Sequence, residues 1–168
     1  MLLTLRLHTA EDTLELGRIL AQVLAAARPV PALLLQGNLG SGKTTLIRGL
    51  VESLPGSELA EVSSPSFNIF NLYPTVPPVA HFDLYRLEGM PPDESLFEFL
   101  GAPSTLTAVE WIQFLDREYW PDNGLFLEWK PCETGRTLEM HAIGKDAEGL
   151  IETLKPRLER FVGAKRPK

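Results

Sequence analysis

Apolar and polar residues alternate from Leu3 to Leu7, a period of two that predicts a short strand with one face covered. Thr9 then stands as a helix cap, with Asp12 three positions on in a shortened capping box. The spacing of Leu14, Ile19, Leu20, Val23 and Leu24 predicts a helix over 10–27, closed by Arg28-Pro29. The next run, 30–36, is apolar without alternation and suits a strand buried on both faces of a sheet. A second helix is expected over 44–54, with Leu46, Ile47, Leu50 and Val51 inward and Pro55-Gly56 as its stop.

The pattern changes after that helix. Two strand-like runs, 67–73 and 79–84, are joined only by Pro74-Thr75-Val76-Pro77-Pro78, a link too short for a parallel crossover, so antiparallel pairing is expected. A short helix over 92–100, a buried strand over 106–110, two strands over 124–130 and 136–143, and a closing helix over 146–161 complete the chain. Pro156 is read as tolerated in that last helix or as kinking it. There is no internal repeat and no low-complexity segment. The length of 168 residues predicts one domain over 1–162, followed by a basic tail over 163–168 that is expected to be disordered.

The turn between the buried run and the second helix carries the strongest chemical signal. Gly37-Asn38-Leu39-Gly40-Ser41-Gly42-Lys43-Thr44 fits G-x-x-x-x-G-K-[ST] at every fixed position, between a hydrophobic strand and an amphipathic helix. A nucleoside triphosphate packs several negative charges together, and glycines let backbone N–H groups curl around them without side-chain bulk. Lys43 would set a point charge between the β- and γ-phosphates, Thr44 would offer its hydroxyl to magnesium, and Thr45 would add a donor to the α-phosphate. The competing reading is a glycine-rich turn with an exposed lysine. With this loop, the expected fold is an α/β, P-loop NTPase-like three-layer sandwich with a mixed, parallel plus antiparallel, central sheet.

Such a loop also needs a carboxylate from another strand end and a group to orient the attacking water. Asp83 ends the run 79–83 and Glu110 ends the run 106–110, and either can serve as the metal partner. His81, inside its strand, reads as a packed core or rim histidine rather than a base. Trp111 can stack on a base or fill the core.

Charge narrows the class of partner. Sixteen basic against 22 acidic residues give a net charge of −6, which disfavours direct high-affinity contact with a polyanion. The single cysteine, Cys132, excludes an intrachain disulfide and a thiolate zinc cluster. With no signal-like apolar segment and no membrane-length run, a cytoplasmic protein without membrane contact is expected.

Four segments together resemble the TsaE family, also called YjeE: G-N-L-G-S-G-K-T-T from Gly37 to Thr45, S-P-S-F from Ser64 to Phe67, H-F-D-L-Y-R-L from His81 to Leu87, and V-E-W from Val109 to Trp111. The leading T-A-E-D-T-L-E-L-G, the later E-F-L-G and the late T-G-R that opens the last strand also look like family features. The resemblance implies a magnesium-dependent ATPase that works with TsaB and TsaD in forming threonylcarbamoyladenosine on tRNA, slow without its partners and touching tRNA only indirectly. Carried over, it makes Lys43 and Thr44 the phosphate and magnesium contacts, Asp83 an acid needed for hydrolysis and Glu110 a magnesium-shell residue. Ser64, Pro65, Ser66 and Phe67 match a loop facing the γ-phosphate, and Thr13 matches a threonine near the adenine.

Asn38 stands where the family often has aspartate, Ser66 where it often has threonine, and Gln113 where many relatives carry an acid. Two other readings share the phosphate loop: a small-molecule kinase, for which no arginine-rich lid is present, and a nucleotide-gated interaction module. A GTP-binding switch is disfavoured because no N-K-x-D or T-K-x-D string follows a later strand.

Overall fold

A computed structural model of the protein describes residues 1–65 and 70–163, so Ser66, Phe67 and the tail from 164 onward lie outside the described residues. Strands β1 (Leu2–Leu7), β2 (Ala32–Gln36), β3 (Phe70–Tyr73), β4 (Val79–Asp83), β5 (Leu106–Glu110), β6 (Gly124–Lys130) and β7 (Arg136–Ile143) form one sheet in the order β1-β7-β6-β2-β5-β4-β3. The central strands β6, β2, β5 and β4 run parallel. On either side the chain turns back, β7 pairing antiparallel with β6 and β1, and β3 antiparallel with β4 as the five-residue link requires.

The helices are α1 (Ala10–Ala26), α2 (Lys43–Glu52), α3 (Glu94–Leu100) and α4 (Lys145–Leu154). β2 explains the layering: Leu33 and Leu35 join the core beneath α1, α2 and α4, whereas Ala32 and Leu34 join Phe82, Val109 and Leu96 of α3 on the opposite face. Both faces of β2 are therefore covered, as its unbroken apolar run requires. Leu33, Leu34 and Leu35 are fully buried, and burial of each such side chain stabilises by about 1.5–3 kcal/mol.

The start of α1 follows its capping chemistry. The Asp12 amide donates to Thr9 Oγ1 at 3.1 Å, and Asp12 Oδ2 accepts from the Thr9 and His8 amides at 3.1 and 2.8 Å. Of its expected face Leu20, Val23 and Leu24 are buried, but Leu14 and Ile19 only partly so, and Leu16 and Gly17 are buried in addition. The reason is the approach of α2. A Cβ on Gly17 would collide with the Leu46 carbonyl, and one on Gly49 with the Leu14 carbonyl, so the two helices touch backbone to backbone.

The closing helix is shorter than expected. α4 stops at Leu154 and the chain continues as two 3-10 turns, Lys155–Arg157 and Glu159–Phe161. Pro156, which lacks an N–H, cannot extend the α-helical ladder, so it ends the helix rather than kinking it. Among the described residues no helix is long and apolar enough to cross a membrane.

Candidate nucleotide site

β2 ends at Gln36 and α2 begins at Lys43, so the glycine-rich turn sits at the carboxyl end of a central parallel strand. Gly40 and Gly42 take φ values of 72° and 111°, the left-handed region that suits glycine, and Gly42 is the cap from which α2 starts. The loop and the positive end of α2 thereby border a cleft of about 260 Å³. Leu39, Gly40, Ser41, Gly42, Lys43, Thr44 and Thr45 line it from one side, and Ser64, Asp83, Glu110, Trp111 and Arg136 from the others.

Lys43 is only 5% exposed. Its Nζ donates to the carbonyls of Gly37 at 2.7 Å and Asn38 at 2.8 Å and to Ser41 Oγ at 3.2 Å, and it stands 4.3 Å from the centre of the Trp111 ring. Burial lowers the ammonium below the usual lysine range, opposed by the charges of Glu110 and Asp83. The competing picture of an exposed lysine on a turn is therefore excluded by its surroundings.

The two acids arrive together. β4 and β5 pair in parallel with Asp83 opposite Glu110, so both stand at strand ends beside the loop. Thr44 Oγ1 donates to Glu110 Oε1 at 2.8 Å, and His81 Nε2 approaches the same oxygen at 2.8 Å. Asp83 Oδ2 accepts from Ser64 Oγ at 2.6 Å, while its Oδ1 accepts from the Tyr85 amide at 2.9 Å. A hydroxyl and a carboxylate in contact, with a second carboxylate next to them, are the hard oxygen donors that magnesium takes, so the residues fit that ion.

The other expected residues are placed less directly. Thr13 is fully buried behind the loop, its methyl 3.4 Å from where a Cβ on Gly42 would lie. Gly37 and Asn38 contribute carbonyls to Lys43, and Leu39 is a 71% exposed lip. His81 is a core residue, as one of its readings held, but it touches Glu110. Trp111 packs against the core that holds Phe82, as one of its readings held, and also lines the cleft, at a φ of 58° unusual for a bulky residue. Sequence reasoning did not nominate Arg136, whose Nη2 donates to the Gly40 carbonyl at 3.2 Å; the T-G-R string was its only trace.

Elsewhere, Glu128, Glu139 and His141 bring ligand atoms within 4.8 Å of one another. Lys130 already fills that cluster with its own cation, 2.7 Å from Glu128 and 3.5 Å from Glu139.

A glycine-rich turn between a central parallel strand and a helix, with a second acid at the neighbouring strand end of a mixed sheet, defines an α/β protein of the P-loop NTPase class. Within that class, residues 7–138 match the family model described as threonylcarbamoyl adenosine biosynthesis protein TsaE, and the chain belongs to this family. It is 37% identical over 106 residues to the tRNA threonylcarbamoyladenosine biosynthesis protein TsaE of Aquifex aeolicus, covering 62% of this chain and 73% of that one. The TsaE protein of Streptomyces coelicolor is 42% identical over 101 residues, 58% of this chain and 65% of its own. That of Bacillus subtilis is 30% identical over 145 residues, 86% of this chain and 88% of its own. The crystal structure of Bacillus subtilis YdiB superposes with a TM-score of 0.75 at 29% identity, over 94% of this chain and 96% of that one.

Proposed function

We propose that the chain binds ATP with magnesium in the cleft beside Lys43 and hydrolyses it, and that in the cytoplasm this turnover supports formation of threonylcarbamoyladenosine on tRNA together with TsaB and TsaD. The observation that carries the reading is the 2.8 Å contact between Thr44 Oγ1 and Glu110 Oε1 at the head of the phosphate loop. A hydroxyl on the loop helix and an acid on β5, the strand beside β2 in the sheet, form a magnesium-side pair, and Lys43 supplies the phosphate-side cation.

In this reading Lys43 exchanges its loop carbonyls for β- and γ-phosphate oxygens, which also accept from the loop amides at the start of α2. Magnesium, when bound, would neutralise phosphate charge, with Thr44 and Glu110 holding it and Asp83 standing beside them. Asp83, held by Ser64 and the Tyr85 amide, is aligned to orient the attacking water. Trp111 and Arg136 bound the same cleft and restrict its access. The net charge of −6 agrees with a protein that leaves direct tRNA contact to its partners.

Phosphate release from ATP, with and without magnesium and with and without TsaB and TsaD, tests the proposal. Slow release alone and a clear rise with the pair are expected. A rate indifferent to the pair counts against the tRNA role, and phosphoryl transfer to an added metabolite instead of water would turn the reading to a kinase.

A further inference from the structure

His81 sits in β4 with no solvent exposure, yet its two ring nitrogens touch different parts of the molecule. Nε2 lies 2.8 Å from Glu110 Oε1, and Nδ1 lies 3.2 Å from the Tyr73 hydroxyl. That hydroxyl is also 3.3 Å from the Ser63 carbonyl oxygen. The next residue, Ser64, donates its hydroxyl to Asp83 Oδ2. A path of side chains therefore runs from Thr44 through Glu110, His81 and Tyr73 to the Ser63-Ser64 segment, and from there to Asp83. Both acids of the cleft lie on it.

Proton counting gives this path a direction. An ionised carboxylate only accepts, so Glu110 makes His81 Nε2 the donor. In a neutral imidazole Nδ1 is then a bare acceptor, and it takes the one proton of the Tyr73 hydroxyl. That proton is the only one Tyr73 has for the Ser63 carbonyl, so the phenol serves one acceptor or the other. The Ser63 carbonyl is not orphaned when the phenol turns away, because Asn71 Nδ2 also donates to it at 3.1 Å. A histidine needed only for packing would be replaceable by an apolar side chain with no partners to satisfy. Here both nitrogens are engaged, and at opposite ends of a functional unit.

We propose that His81 is a positioning residue for the reaction: it orients the Glu110 carboxylate shared with Thr44, and through Tyr73 it couples that orientation to the Ser63-Ser64 segment that holds Asp83. The inference rests on the ATPase reading above, in which Glu110 belongs to the magnesium shell. Partners behind metal-side carboxylates typically carry 10–100-fold effects, so an effect of about tenfold on kcat is expected for loss of either link.

Two substitutions separate the links. Tyr73→Phe removes only the hydroxyl and keeps the Glu110 contact; His81→Gln keeps an amide donor for Glu110 and drops the tyrosine. Each is expected to lower kcat about tenfold with KM for ATP little changed, and the double variant to be no worse than either single, because both cut the same path. Additive losses, or wild-type kcat in Tyr73→Phe, overturn the proposal. Tyr73→Phe carries the test by itself if His81→Gln does not fold.

A second readout needs no turnover. Nitrogen-15 spectra of the histidine rings in the protein without nucleotide should show His81 protonated at Nε2. Glu110→Gln should move the Ser63 and Ser64 amide resonances when Tyr73 is present and leave them in place in a Tyr73→Phe background. An Nδ1-protonated ring, or amide shifts indifferent to Tyr73, refutes the coupling. If the wild-type chain neither binds nor hydrolyses ATP, the functional reading falls, while these resonances still decide whether the coupling exists.

Discussion

Asp83 and Glu110 are register partners on the parallel strands β4 and β5, so two acids from separate segments of the chain reach the phosphate loop side by side. Their surroundings differ. Glu110 is 2% exposed and tied to Thr44 and His81, whereas Asp83 is held at the rim by Ser64 and the Tyr85 amide. Replacing either by alanine is expected to lower kcat for ATP by at least about tenfold while changing nucleotide affinity much less. Calorimetry and phosphate release on the same preparations check this, and wild-type rates in both variants would remove the assignment.

Lys43 gathers three loop acceptors around a nearly buried ammonium. Lys43→Ala removes the cation proposed to face the triphosphate, and ATP binding measured by calorimetry is expected to disappear. Unchanged ATP affinity would contradict the site.

The capping box of α1 gives stability that depends on pH. Folding lowers the Asp12 carboxyl below its ordinary value, chiefly through the His8 amide and further through that of Thr9, with burial opposing. A carboxyl whose folded value is depressed contributes fully above its unfolded value, about pH 4, and loses that contribution as pH falls through the folded one. Asp12→Ala should therefore melt below the wild type at neutral pH, and the gap should narrow in acid. Melting curves across that range measure it; a gap independent of pH would mean the charge plays no part.

Gly17 and Gly49 leave no room for a side chain between α1 and α2. Alanine at either position should cost about 1–3 kcal/mol, read as a lowered denaturation midpoint. A variant as stable as the wild type would show that the helices can part without penalty.

Local signals carried most of the architecture. The runs 106–110, 124–130 and 136–143 coincide with β5, β6 and β7 because each is bounded by turn residues, and Thr9 with Asp12 marks the start of α1. Pro156 was visible, but whether a proline bends or ends a helix depends on what the chain beyond it packs against, and here it gives way to 3-10 turns. The glycine-rich turn between β2 and α2 was legible because its residues are contiguous. Arg136 and the link from His81 to Glu110 were not, because they exist only once the sheet order brings β7 and β4 around the loop. The positive φ of Trp111, whose ring packs on Tyr85 and Phe114, likewise has no sequence mark.

The meeting of Gly17 with α2 has a mechanical consequence. Helices interlocked at main-chain distance cannot slide or roll without forcing atoms together, so the base carrying Lys43 and Thr44 behaves as a fixed anvil. Any motion that the proposed turnover requires is then expected at the far wall of the cleft, where Ser64, Asp83 and Trp111 stand.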